Sequence, residues 1–458
     1  MPKFRTAKDS MGEMQIPADR LYGASTQRAV LNFPISGYRF TRPFIHALGQ
    51  IKLSAARANA KLKLVSRDQS AAIQAAAKEV RDGKWDSEFV LDVFQTGSGT
   101  STNMNANEVI STLANRRLSA KRKIHPNDHV NKGQSSNDVI PTAIHVAVVV
   151  ESAALIATLR KLEVSLRKKA AQFKKIYKIG RTHLQDATPI TLGQEFGGYA
   201  EQVRKAVLRV EEGLKGMREL ALGGTAVGTG MNAHPRFAKL AIQDMNSDLG
   251  ESFFEARDHF EGQSTKDACV DFSGRLRTVA VSLTKVANDV RWLGSGPRGG
   301  IREIKVPAVQ PGSSIMPGKV NPVIAEALLQ VCAQVMGNDL TVTLAAQSSA
   351  FELNVMMPVI AHNLLESVKL MTSACEVFRT KSVDGIEADL DGCKDKIESS
   401  LMLCTALVPV LGYDKSAQLA KEAYKTGKTI RQIVRDYNLV PDKELNRLLD
   451  VTRLTSSE

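Results

Sequence analysis

The sequence predicts a mainly α-helical protein built around a central bundle of five long helices, and three observations carry that reading. Hydrophobic residues make up 43 % of the 458-residue chain while aromatics make up only 5 %. An interior of Ala, Leu and Val suits packed helices better than sandwiches or barrels. Residues 142–175 run without Gly or Pro and carry apolar side chains on most turns, which amounts to roughly 50 Å of helix. Only a bundle or a membrane buries that much surface, and the charged face of the run selects the bundle. Residues 192–222, 268–293, 322–346 and 354–379 repeat the texture between Gly, Pro and Ser loops.

The elements suggest three domains, at 1–136, 137–388 and 389–458. The first mixes short helical patterns with loops rich in Gly, Ser, Thr and Asn. At the start of the second, Asp138 is expected to cap the first long helix and Pro141 to occupy its first turn. Residues 143–156 are apolar nearly all round, which implies burial on more than one side and oligomerisation through the bundle. The third domain is more polar, with Gly412 and Gly427 punctuating modest helices.

A formal charge of +13 and an isoelectric point near 9.4 suit nucleic acid, an acidic membrane surface or a field that draws in anionic metabolites. The basic residues are scattered along helices, as at Lys161, Arg167, Lys168 and Lys169, without an aromatic-interleaved motif. They read as solvated faces, so neither nucleic acid nor membrane is an expected partner. Cys269, Cys332, Cys375, Cys393 and Cys404 show no metal-binding spacing and read as reduced, mostly buried thiols. No leader-like segment opens the chain and no charge-free span of membrane length follows, so a cytoplasmic protein is expected.

The segment with the most specific chemistry is Gly312-Ser313-Ser314-Ile315-Met316-Pro317-Gly318-Lys319-Val320-Asn321-Pro322. Loop N–H groups, one cation and one amide donor can hold a carboxylate and stabilise the charge that develops when its α-carbon is deprotonated. Ser313 is the candidate base, a role a serine fills only as an alkoxide held by N–H donors. The same residue types also build ordinary helix connections. In Gly180-Arg181-Thr182-His183, a hydroxyl and an imidazole stand side by side, and His183 could pass a proton to a departing hydroxyl, although a lone histidine is commonly structural.

Thr96-Gly97-Ser98-Gly99-Thr100-Ser101-Thr102-Asn103 could cradle a carboxylate or simply open a helix. A phosphate loop would need Gly-Lys-Ser/Thr after the turn, and Asn103-Met104-Asn105 follows instead. Residues 125–138 form a polar stretch leading into the first long helix, whose N-terminus favours an anion. His and Asp there are too few for a metal site, and none is expected. Residues 223–235 read as a tight inter-helix turn in which His234 has no assigned role.

Together these segments resemble the signatures of the fumarase/aspartase superfamily, and the similarity runs from Ile16-Pro17-Ala18-Asp19-Arg20 to Gly412-Tyr413-Asp414-Lys415. Gly318-Lys319-Val320-Asn321 resembles the fumarase and aspartase branches rather than the argininosuccinate and adenylosuccinate lyases. His183 resembles class II fumarases, because aspartases typically carry Gln there; Asn127-Asp128-His129 and the segment from Asn354-Val355 to His362-Asn363 agree. Gly133 departs from a usual Ser or Thr, Met357 from a frequent Lys, and Val323-Ile324-Ala325 from polar residues. These departures bear on substrate preference and on the start of the helix, and no proposed catalytic group is missing.

The resemblance implies a three-domain fumarase/aspartase-like fold in a homotetramer with a twenty-helix core, active sites shared by three chains, and no cofactor. It implies reversible hydration of fumarate to (S)-malate, a tricarboxylic acid cycle reaction. Ser313 would take the proton, Lys319 and Asn321 would hold the aci-carboxylate, and His183, oriented by Glu326, would assist loss of hydroxide. Ser98, Gly99, Thr100, Asn103, Ser135, Ser136, Asn137, Thr182 and Ser314 would contact substrate. Arg122, His125, Pro126, Asn127 and Asp128 would form a second dicarboxylate site. The alternatives are an aspartate ammonia-lyase of the same fold, a non-catalytic crystallin-like relative lacking Ser313, Lys319 or His183, and a nucleic-acid binder with salt-dependent retention.

Overall fold

The computed structural model describes residues 3–118 and 123–455, and among them α-helix dominates while strands occur only as two-stranded pairs. A hairpin of β1 (Phe4–Asp9) and β2 (Gly12–Pro17) leads into α1 (Ala24–Asn32), α2 (Arg42–Lys61), α3 (Arg67–Arg81) and α4 (Thr100–Asn115). No side chain at the N-cap of α1 satisfies its first N–H groups. Glu108 of α4 does so, accepting from the backbone N–H of Gly23, Ser25 and Thr26 at 2.8–3.2 Å. A carboxylate at a helix N-terminus also meets the positive end of the helix dipole, so one side chain ties α1 to α4.

The long helices follow: α5 (Ser136–Gln172), α6 (Leu192–Gly216), then, after α7 (Phe237–Leu249) and α8 (His259–Ser264), α9 (Asp267–Leu293), α10 (Val323–Ala346) and α11 (Met357–Lys381). Between α5 and α6, β3 (Tyr177–Thr182) and β4 (Gln185–Thr191) form an antiparallel hairpin. The start of α5 differs from the sequence expectation. Ser135 is its cap, accepting from Asn137 N at 3.2 Å, and Asp138 reaches back to Ser135 N at 2.8 Å. This reciprocal pair satisfies two orphan donors, so Asp138 is a helical residue and Pro141 lies inside the helix instead of in its first turn.

Two compact units compose the chain: Met1–Ile156 with Leu208–Thr278 and Ala333–Met371, and Ala157–Val207 with Val279–Cys332 and Thr372–Glu458. In the first, Phe44, Leu48 and Ile51 of α2 are fully buried, as are Val139, Ile140, Ile144 and Val148 of α5. In the second, Phe173 meets Phe196 edge-on at 5.3 Å, and Leu403, Leu407, Leu419, Ile430 and Leu445 enclose a small C-terminal core. The helix α5 is long and apolar enough to cross a membrane, and 67 % of its most apolar window is buried within the protein. All five cysteines are free and buried.

Candidate active site

The loop that precedes α10 closes on itself. Gly312 N donates to Lys319 O at 2.8 Å, and Asn321 Nδ2 donates to Gly312 O at 2.6 Å. A side chain at 312 would stand 2.5 Å from Lys319 O, so only glycine permits the closure. Inside the loop, Ser313 Oγ accepts from the backbone N–H of Ile315 at 3.2 Å and of Met316 at 2.9 Å. Donors aimed at a hydroxyl oxygen favour its deprotonated form. Ser314 is exposed beside it. Gly318, Lys319, Asn321 and Glu326 line a cavity of about 1030 Å³, along with Leu184, Lys285, Asp289, Arg302 and Asp389. Cations outnumber carboxylates along that lining, which suits an anionic occupant.

Thr182 and His183 sit at the exposed end of the β3–β4 hairpin. Thr182 pairs with Gln185, and the two residues between them, His183 and Leu184, have φ of +57° and +60°. Two left-handed residues in a two-residue loop match the twist of the flanking strands, but without Gly or Asn they cost backbone strain. The strand β3 is clamped along its length. Arg181 makes a two-pronged contact with Glu303 at 2.8 and 3.0 Å, and Lys178 reaches the same carboxylate at 2.9 Å and Glu195 at 2.8 Å. Glu303 is fully buried. Among the described residues no hydrogen bond joins His183 to Glu326, the partner expected to orient it.

The other unit holds the remaining substrate-site candidates. Thr100, Asn103, Ser135 and Ser136 line a pocket of about 370 Å³ with Asn131, Gln134 and Thr225. A side chain at Gly97 would stand 1.7 Å from Val355 O, and Gly99 caps α4 with φ +71°. These glycines let the loop turn so that Ser98, Thr100 and Ser136 form a chain of hydroxyls at 2.8 and 2.7 Å. Asn137 is not on that lining; its side chain donates to Ala226 O, a lining residue, at 2.8 Å. Asp138, entirely enclosed, receives N–H bonds from Ser135, Gly223 and Thr225, while burial pushes its carboxyl up to about 6. The 223–235 turn is thereby fastened to the start of α5.

Asn131, Gln134 and the enclosed Lys52 behind them escaped the sequence reading. One signal was present: Lys52 follows the 48, 51, 52, 55 spacing of the buried face of α2. At the expected second anion site, Pro126–Val130 form a single wide turn of helix, and the His125 ring nitrogen Nδ1 accepts from Asn127 N and Asp128 N at 3.3 and 3.2 Å. Arg122 lies outside the described residues. His129, not singled out for chemistry, accepts from His125 N at 2.9 Å and so braces that turn. His234 Nδ1 accepts from Arg236 N at 3.0 Å.

Comparison with known proteins extends over the whole chain. A family model described as Lyase matches residues 12–337, and one described as Fumarase C C-terminus matches residues 403–456. The class II fumarate hydratase of Xylella fastidiosa strain Temecula1 is 47 % identical over 99 % of this chain and 96 % of its own length. That of Corynebacterium glutamicum is 49 % identical over 100 % of this chain and 97 % of its own. Among solved structures, the recombinant class II fumarase of Schistosoma mansoni superposes with a TM-score of 0.95 at 38 % identity, covering 98 % of this chain and 99 % of that one. A Brucella melitensis fumarate lyase:delta crystallin bound to cobalt gives the same TM-score at 44 % identity, covering 99 % and 100 %.

Proposed function

Since the chain belongs to the class II fumarate hydratase family, whose members are lyases, we propose that it interconverts fumarate and (S)-malate by anti addition and elimination of water. The observation that carries the mechanism is the Ser313 oxygen held by two backbone N–H groups in the loop that ends at Lys319 and Asn321. In the malate-to-fumarate direction Ser313 takes the proton from the carbon next to a carboxylate. The electrons move into that carboxylate, and Lys319, Asn321 and loop N–H groups hold the resulting dianionic aci-carboxylate. Aimed donors in a water-poor site stabilise such charge by up to several kcal/mol each.

Hydroxide then leaves from the neighbouring carbon with a proton supplied through His183, and the double bond forms. Ser98, Gly99, Thr100, Asn103, Ser135, Ser136, Asn137, Thr182 and Ser314 orient the substrate, and Glu326 orients His183 across an interface between chains. In this reading the cradle of one protomer, the hairpin of a second and the Ser313 loop of a third make one site in a homotetramer. Apolar side chains left exposed on the long helices, such as Val164, Val281 and Leu340, support that assembly. His125, Pro126, Asn127 and Asp128, with Arg122, form a second dicarboxylate site. The reaction belongs to the tricarboxylic acid cycle, and five free, buried thiols suit the reducing cytoplasm.

The test is an assay of malate dehydration, followed by the ultraviolet absorbance of fumarate, on the wild type and Ser313→Ala. Loss of at least about a hundredfold in kcat is expected of the variant. Equal rates would remove Ser313 from the mechanism, and fumarate released from L-aspartate instead of malate would replace the hydratase with an ammonia-lyase.

A further inference from the structure

The pocket formed by Thr100, Asn103, Ser135 and Ser136 has no charged side chain on its lining, yet a cation lies immediately behind it. Lys52 of α2 is fully enclosed, and its Nζ donates to Asn131 Oδ1 and Gln134 Oε1, each at 2.9 Å. Both acceptors line the pocket. Asn131 Oδ1 also accepts from Asn103 Nδ2 at 3.2 Å, and the Gln134 amide donates to the carbonyls of Val130 and Lys132. An ammonium has donors only, so both amides must turn their oxygens toward it and their NH2 groups elsewhere. Lys52 thus sets the orientation of the whole amide wall.

Its own situation is costly. An enclosed ammonium whose direct acceptors are two neutral oxygens has no counter-charge in contact with it. The charged group that acts on it is Asp138 of α5, already committed to three backbone N–H groups, while Asn103 of α4 and the amides of the 131–135 turn are neutral. If rigidity of the turn were the sole requirement, a neutral donor would serve at lower cost. A dianion lodged in the pocket would add to the partial compensation that Asp138 supplies.

We propose that Lys52 is a positioning residue for dicarboxylate binding: its ammonium orients Asn131 and Gln134 and sets a positive charge behind the wall that the dianion meets. This deepens the fumarate hydratase reading and rests on it. Lys52 touches neither substrate nor reacting atoms and acts through the amides. Burial pushes its ammonium down to about 7, with Asp138 opposing. Raising the pH through that region discharges Lys52 in the empty pocket, so dianion affinity falls as pH rises; bound dianion favours the proton and shifts the ionisation upward.

The experiment is calorimetric titration of the full-length protein with succinate, a saturated dicarboxylate that cannot react, for the wild type and Lys52→Met. Succinate affinity should fall at least about tenfold in the variant, with a matching rise in KM for fumarate. Wild-type affinity should decline between about pH 6.5 and 8.5, and the variant's should not. Unchanged succinate affinity in Lys52→Met, or a flat wild-type profile, overturns the proposal. Should Lys52→Met fail to fold, the wild-type profile decides alone. Succinate binding with this pH dependence in a protein that leaves fumarate unhydrated would refute the reaction and leave the role of Lys52 standing; hydration with binding indifferent to Lys52 would do the reverse.

Discussion

Gly97 shows how narrowly single positions are determined around the cradle. Its carbonyl accepts from Met357 N at 3.0 Å, and the space a side chain would need is filled by Val355 O. Gly97→Ala should therefore destabilise the fold by about 2–3 kcal/mol, the usual cost of overpacking, measured as a lower urea midpoint. An alanine variant as stable as wild type would mean that the 354–357 segment yields freely. At this scale residue type and chemistry singled out Ser313 and Lys319 from the donors their segment offers, and Thr100 entered through the resemblance to the fumarase/aspartase superfamily. Asn131 and Gln134 were not singled out, because an amide in a pocket wall looks, in sequence, like any other loop amide. Their significance comes from Lys52, which is distant in sequence and drawn beside them by the fold.

The elements were legible unevenly. Long apolar periodicity located α9 and α10 within one residue at each end. The start of α5 was misplaced because Ser135 and Asp138 cap reciprocally, which hides the boundary from a search for a single capping side chain. The β3–β4 hairpin gave no strand signal, since its tight turn is made by His183 and Leu184 instead of Asn-Gly, and strain at that turn is held by the clamp beneath. Glu303→Gln should expose this dependence. It removes the carboxylate that Arg181 contacts and leaves Lys178 with Glu195 alone, at a cost on the order of 3 kcal/mol, and it loosens the tip that carries His183. Urea unfolding together with malate turnover checks both effects, and a variant that keeps full turnover would separate the clamp from the hairpin.

For the molecule as a whole, burial sets how stability responds to acid. Burial pushes the His145 imidazole down to about 4, reinforced by Lys266 and opposed by its 2.7 Å bond to Glu219 O. Below its unfolded value near 6.5 the unfolded chain takes up a proton that the folded chain refuses, so stability present above pH 6.5 is lost as pH falls toward 4. His145→Gln should lose less stability than wild type over that interval in paired urea titrations; identical slopes would show that other groups govern it. The five cysteines extend the same logic to reagents. Burial raises every one of these thiols, Cys332 to about 11 and Cys269 and Cys393 to about 12. Sulfur chemistry needs the thiolate, so alkylating agents and disulfide reagents meet an inert surface until the interior opens, and the pace of their reaction becomes a clock for unfolding.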